Sequence, residues 1–347
     1  MLFLSGCSDQ TIINEIQMID SIGYDKHEGK IIGTVIYPRF EEKGKVNLNM
    51  FHTESDSSQD ILPRLNTKSD LPIEIGQVRL ALFGKEFAIQ GIDTVVKSFE
   101  LNPKVTSRMQ LAVAEPTAET ILKSSLELNI PFHTAHKITQ NMDNGNLPKM
   151  NLHLFLEYYY GEGRDPFLPY LIKEKNEIKI DGLALFKRGE YIHHINMKQS
   201  FLLKMLLDGT QNGVYKVKIN ENKTEGFILL KNLDAKARYT IGNIDPIPNI
   251  TIHLSMNVKI QEVPTWVHLT DNKEVQKIEK IIEDHINKEI LQLISLFQEY
   301  NVDPLGLGDR VRAKSRNWDY KHFQVIYPQL KKTVNTKVKI IQTGVGE

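Results

Sequence analysis

His133-Thr134-Ala135-His136 sets two imidazoles three residues apart on an expected helix, a spacing at which both can ligate one zinc ion. The glutamate of the metalloprotease pattern is missing and no third ligand stands nearby, so the pair reads as surface or helix-end histidines. His193-His194 lie in an expected strand, where alternation sends neighbours to opposite faces and rules them out as a metal pair. Two glycine pairs, "GEG" at 161–163 and "GLGD" at 306–309, lack the third glycine and the strand–helix setting of a phosphate cradle. No G-x-S-x-G nucleophile elbow occurs. Glu41-Glu42 falls in a polar loop and reads as a solvated face. Tyr158-Tyr159-Tyr160 reads as a helix end, part buried and part wet, rather than a stacking platform for a ligand. No catalytic, cofactor-binding or metal constellation emerges, and an enzyme is not expected.

The one residue placed for chemistry is Cys7, the only cysteine in 347 residues. A lone thiol cannot cross-link the fold. Leu4-Ser5-Gly6-Cys7 instead resembles the bacterial lipobox, an aliphatic and two small residues before a cysteine. The thiolate would be alkylated with diacylglycerol, and the small residues let a peptidase reach the bond before it. Cys7 is thus the candidate lipidation site, carrying an S-diacylglycerol with an N-acyl chain available to its freed amine. Two chains matter because each buried methylene contributes about 0.8 kcal/mol, and stable anchoring takes two such signals. Residues 1–6 then read as the remnant of a signal peptide whose basic and apolar regions would lie upstream of Met1. In such an exported chain the sequon Asn222-Lys223-Thr224 would be idle.

Composition bounds the rest. The charge is balanced, 43 Lys+Arg against 43 Asp+Glu, and no basic run exceeds two residues, which argues against nucleic acid as a partner. At 41% hydrophobic and 25% charged, the chain falls in the globular class and is long enough for about two domains. No apolar stretch reaches the roughly 18–20 residues of a spanning helix.

The elements alternate. Apolar runs at 16–24 and 31–37 flank "DKHEGK" and predict a hairpin, followed by a strand at 47–53 and a short helix around Pro63. Strands are expected at 77–84 and 107–115, each followed by a helix. "GEGRDPFLPYLIKEKNE" at 161–177, with two glycines and two prolines, reads as a break between domains. Past it come short strands, then the helix "KQSFLLKMLLDG". "ITIHLSMNVKIQ" at 250–261 alternates strictly, the period of a strand with one buried face, and "VYKVKI", "AKARYTIG" and "VNTKVKI" are shorter versions. A helix over 272–300 carries the stripe Val275, Ile278, Ile282, Ile286, Ile290, Leu293 and Phe297, with Asp271 and Glu274 as a capping box. At roughly 43 Å it can cross a whole sheet. The fold class is α+β: mixed sheet-plus-helix domains over 7–165 and 177–347, the second an antiparallel or mixed sheet packed by the long helix. Within it, 177–210 is a candidate small unit of its own.

The run "LISLFQEYNVDPLGLGDRVRAKSRNWDY", followed by "VNTKVKIIQTG", resembles the closing region of the Ger(x)C family, the lipoprotein C subunits of spore germinant receptors. Its marks are a long helix ending near Gln298, then Asp303-x-x-Gly306-x-Gly308, Trp318, and a last strand ending in Thr343-Gly344. "IDSIGYDKHEGKIIGTVIY" and "VRLALFGKEFAIQGI" agree as well, so the resemblance runs from Cys7 to Gly344. One departure is Ser8-Asp9, where the family commonly has Trp-Asp. The resemblance implies a non-catalytic subunit, lipid-anchored on the outer face of the spore inner membrane, working with integral membrane A- and B-type subunits. A second reading, a lipoprotein that itself captures a small-molecule germinant, needs a pocket of converging aromatic and polar groups, expected near 161–177.

Overall fold

The computed structural model describes residues 15–343 apart from 41–44, 146, 211, 222–223, 243–246, 268 and 270. Cys7, Glu41, Glu42 and Asn222 lie outside the described residues. The chain divides into two compact units, one of Met1–Ala135 with Ile172–Lys179, the other of His136–Leu171 with Ile180–Glu347.

In the first unit a two-residue strand β1 (Gln17–Met18) leads into the expected hairpin, β2 (Ser21–His27) and β3 (Lys30–Phe40), and then β4 (Val46–Ser55). Helix α1 (Ile61–Asn66) and the short β5 (Ile73–Glu74), which pairs with β1, precede β6 (Leu80–Gly84). Helices α2 (Lys85–Gln90) and α3 (Asp93–Leu101), β7 (Gln110–Glu115) and α4 (Ala118–Leu128) follow. The order across the sheet is β7-β6-β2-β3-β4, parallel through β7, β6 and β2 and antiparallel beyond. Buried on both faces, β6 is the continuous apolar run "LALFG", whereas the outer β4 alternates. Asn129, left-handed at φ +52°, accepts the Leu48 N–H at 2.7 Å and so ties the chain after α4 to the outer strand.

Helix α5 (His133–Asp143) precedes α6 (Leu152–Tyr160), which Asn151 caps by accepting the Leu154 N–H. The stretch expected as a domain break carries β8 (Phe167–Glu174), whose first five residues are all buried. The apolar run F-L-P-Y-L outweighs its proline as a signal. After β8 come β9 (Glu177–Lys187), β10 (Glu190–Asn196) and α7 (Met197–Leu207). An Asn196–Gln199 capping box starts α7.

The second sheet is mixed, in the order β11 (Val214–Glu221), β12 (Thr224–Gly242), β13 (Asn249–Glu262), β14 (Lys331–Thr343), with only β13 and β14 parallel. Between β13 and β14 run α8 (Asn272–Glu299), α9 (Leu307–Arg312) and α10 (Tyr320–Ile326). The stripe of α8 is buried at Ile278, Ile282, Ile286, Ile290, Leu293 and Phe297, and the sheet opposes it with Ile250, Ile252, Leu254, Met256, Val258 and Ile260. Asp271 caps α8 by accepting the Lys273 and Glu274 amides, while Glu274 lies 3.9 Å from Lys277.

The polar flank of α8 has a second task. Asn287, Glu283 and Glu279 accept the backbone N–H groups of Thr336, Val338 and Ile340 at 2.9, 3.2 and 2.8 Å. Those amides line the outer edge of β14. Four helical residues rise about 6.0 Å and two strand residues about 6.6 Å, so side chains at every fourth helical position meet every second strand amide. The edge that would otherwise template another strand is closed by the helix.

Candidate functional site

The two glycine pairs meet. Asp309 N–H donates to the Gly163 carbonyl at 2.9 Å, and a β-carbon on Gly163 would fall 2.3 Å from the Asp309 nitrogen. One on Gly308 would fall 2.9 Å from the Gly163 Cα. Backbone rests on backbone, and only glycine leaves room for it. Here the glycines serve packing.

Asp303 and Asp165 hold this junction together. The Asp303 carboxylate accepts the Gly308 N–H at 2.8 Å, folding the loop 303–308 onto itself. Asp165 Oδ2 accepts both the Asp303 N–H at 2.7 Å and Lys187 Nζ at 2.8 Å. Burial pushes the Asp303 carboxyl up to about 7, against the pull of the Gly308 and Leu307 amides. Burial also raises Asp165, with Lys187 opposing. The acids are only 2% and 5% exposed, so no substrate can meet them, and their chemistry is structural. Around them Trp318 Nε1 donates to Glu162 at 3.2 Å, Tyr327 donates to the Val302 carbonyl at 2.7 Å, and Arg164 lies 4.6 Å over the Tyr158 ring.

The first unit has a comparable knot. Asp25, at the end of β2, accepts the Ala118 and Glu119 amides at 2.7 and 2.9 Å and so caps α4 from a distant strand. A β-carbon on Gly84 would sit 1.9 Å from Asp25 Oδ1. Burial raises the Asp25 carboxyl and the two amides lower it. Beside it opens a cavity of about 610 Å³ whose lining includes His27, His52, Glu54, Arg64 and Lys68. Three of its charges have partners: Glu54 with Lys30 at 2.9 Å, Arg64 with Asp60, and Lys68 with the His52 carbonyl at 2.8 Å.

Residues 181–344 match the family model described as spore germination B3/GerAC like, C-terminal, and residues 9–173 match the spore germination protein N-terminal domain. The spore germination protein GerQC of Bacillus cereus is 30% identical over 349 residues, covering 100% of this chain and 97% of that protein. The chain belongs to the Ger(x)C family of spore germination proteins. The fold agrees: the crystal structure of the GerBC protein superposes with a TM-score of 0.59 over 92% of this chain and 96% of that one, at 16% identity.

In this Ger(x)C chain, the Asp303-x-x-Gly306-x-Gly308 run that carried the resemblance is the loop knotted to Asp165. His133 and His136 fall in the first turn of α5. Among the described residues, no three His, Cys, Asp or Glu side chains group as a metal site. His193 and His194 pair in succession with Leu185 and Ala184 of β9. The register shift lies just before them, between Tyr191 and His193, and the two imidazoles come within 5.7 Å, 25° from parallel. His193 stacks on Tyr300 at 4.1 Å and His194 on Tyr170 at 4.7 Å. The tyrosine run ends α6 as expected, with Tyr158 edge-on to Phe167 at 6.1 Å and Tyr160 55% exposed.

Sequence reasoning passed over Asp25, Asp165, Lys187 and Lys204. Lys204 is 6% exposed and donates to the Met142 and Leu147 carbonyls at 2.7 and 2.9 Å. The one available signal was a charge inside an apolar run, as in "SFLLKMLL".

Proposed function

We propose that this chain is a lipid-anchored, non-catalytic subunit of a nutrient germinant receptor, acting in spore germination by assembling with integral membrane A- and B-type subunits. The match to spore germination families along nearly the whole chain carries the reading. The lipobox-like Leu4-Ser5-Gly6-Cys7 supports the anchor, on the outer face of the spore inner membrane. Among the described residues no helix is long and apolar enough to cross a membrane. The inaccessibility of Asp165 and Asp303 fits a scaffold better than an enzyme. The test is Cys7→Ala in spores. The variant should leave the membrane fraction and slow nutrient-triggered germination while leaving germination by a non-nutrient route intact. Normal anchoring and response would overturn the anchor, and failure to co-purify A- and B-type subunits from detergent-solubilised spore membranes would overturn the assembly.

The cavity beside Asp25 favours a second reading, capture of a small polar germinant, since its volume lies within the range of about 300–1,000 Å³ usual for ligand sites. Calorimetric titration of the chain with amino acids and sugars separates the two: saturable heats, lost in Arg64→Ala, would favour capture.

A further inference from the structure

The second sheet buries one face under α8, and strand parity sends every other side chain to the opposite face. On β12 that face carries Lys231, Lys236 and Arg238, paired in register with Lys259, Ser255 and His253 of β13. On β14 it carries Lys331, Lys337 and Lys339, paired with Asn249, Ser255 and Asn257. Lys216 and Lys218 extend it onto β11. Nine basic side chains thus share one sheet face, against the acids Glu225, Asp234 and Glu262, in a chain whose formal net charge is zero. Seven of the nine are exposed, the other two half-buried. Lys337 stays 84% exposed although Glu283 comes within 3.9 Å, while Lys218 is spent on Glu225 at 2.7 Å.

One end of this face is apolar. Val214, opposite Lys231, is 55% exposed, and Ile341, next to the bulge at Lys259, is 50% exposed. Half-buried Phe227 and Leu229 lie on the same end, with Lys216 Nζ 3.7 Å over the Phe227 ring. Lysines around exposed aliphatic side chains suit a surface that offers phosphates at one depth and hydrocarbon just below it. A single-stranded nucleic acid would instead call for a row of aromatic platforms, and among the described residues this face offers one aromatic ring, Phe227 at its margin, besides the His253 imidazole.

We propose that the solvent face of the β11–β14 sheet docks on an anionic phospholipid bilayer, its lysines and Arg238 on the headgroup phosphates and its Val214/Ile341 end at the acyl boundary. The contact is separate from any acyl chain on Cys7, so the experiment uses the full chain with Cys7→Ser, made without acylation. Its probe is co-sedimentation with phosphatidylcholine vesicles containing a third phosphatidylglycerol, and with pure phosphatidylcholine vesicles. Binding should require the anionic lipid and weaken as salt rises. Replacing Lys236, Arg238 and Lys339 with glutamine should weaken it about a hundredfold, from the typical contribution of each cation near such a surface. The same charge change at Lys26, Lys45 and Lys123 of the first unit should leave it within about twofold, by contrast. Equal losses in the two triple variants, binding to neutral vesicles, insensitivity to salt, or tighter binding to a short DNA duplex than to the anionic vesicles would each overturn the proposal.

Discussion

Asp165 donates its backbone N–H to the Asp303 carbonyl at 2.9 Å, and Asp303 returns its own N–H to the Asp165 carboxylate at 2.7 Å. The reciprocal pair lies 138 residues apart in sequence and locks the loop after α8 to the segment that enters β8. Lys187 neutralises one acid of the pair; ionising the other is costly, with Oδ1 buried and unbonded.

That cost sets a pH dependence. Burial holds the Asp303 carboxyl up to about 7, whereas a free aspartate titrates near about 3.9. The folded chain therefore binds this proton more tightly than the unfolded one. Its stabilisation is complete below about pH 4 and is lost as pH rises through about 7. Asp303→Asn can still accept from Gly308 without ionising, and we expect it to flatten the decline of the urea midpoint between about pH 5 and about pH 8. The decline of the parent chain over that window is the comparison, and identical slopes would refute the assignment.

Gly163→Ala tests the backbone contact. With Asp309 N at 2.3 Å the new β-carbon has no rotamer to escape into, and the loss of stability should be about 3 kcal/mol. Gly242→Ala, where a β-carbon meets nothing within 4 Å, should stay within about 0.5 kcal/mol of the parent. Chemical denaturation of both variants gives the comparison directly.

Lys204→Met keeps the shape of the side chain and removes its donor. The Met142 and Leu147 carbonyls would then lose the Nζ bonds at 2.7 and 2.9 Å, and we expect a loss of about 2–3 kcal/mol. Hydrogen exchange should localise it to the ends of α5 and α7; a globally unchanged exchange pattern would count against the role.

Replacing Glu279, Glu283 and Asn287 together with alanine uncovers the β14 amides. Stability should fall by about 2–4 kcal/mol, and the variant should self-associate in sedimentation velocity where the parent does not. A monomeric triple variant of parental stability would show that the helix merely lies beside the strand.

Much of this was legible in the sequence. The apolar stripe of α8 and the alternation of β13 named their own buried faces, because each is a local period. The basic face was legible only in part. No basic run exceeds two residues, yet "VYKVKI", "AKAR" and "TKVKI" each place a cation at every second position, and pairing in register gathers them. The knots were not legible. Nothing local tells Asp303 from any other aspartate near a helix end, since its partner is 138 residues away. The bulge between Tyr191 and His193 is likewise set by pairing with β9, and the local sequence gives no sign of it.

The helix laid along β14 also limits what copies of this chain can build. Adding molecules strand to strand into an open filament needs a donor edge and an acceptor edge on each copy. With the Thr336, Val338 and Ile340 amides of β14 already taken by α8, the middle of that edge cannot serve as the acceptor. Crowded together on one surface, such molecules therefore lack the continuous β14 edge along which this sheet could grow into chains.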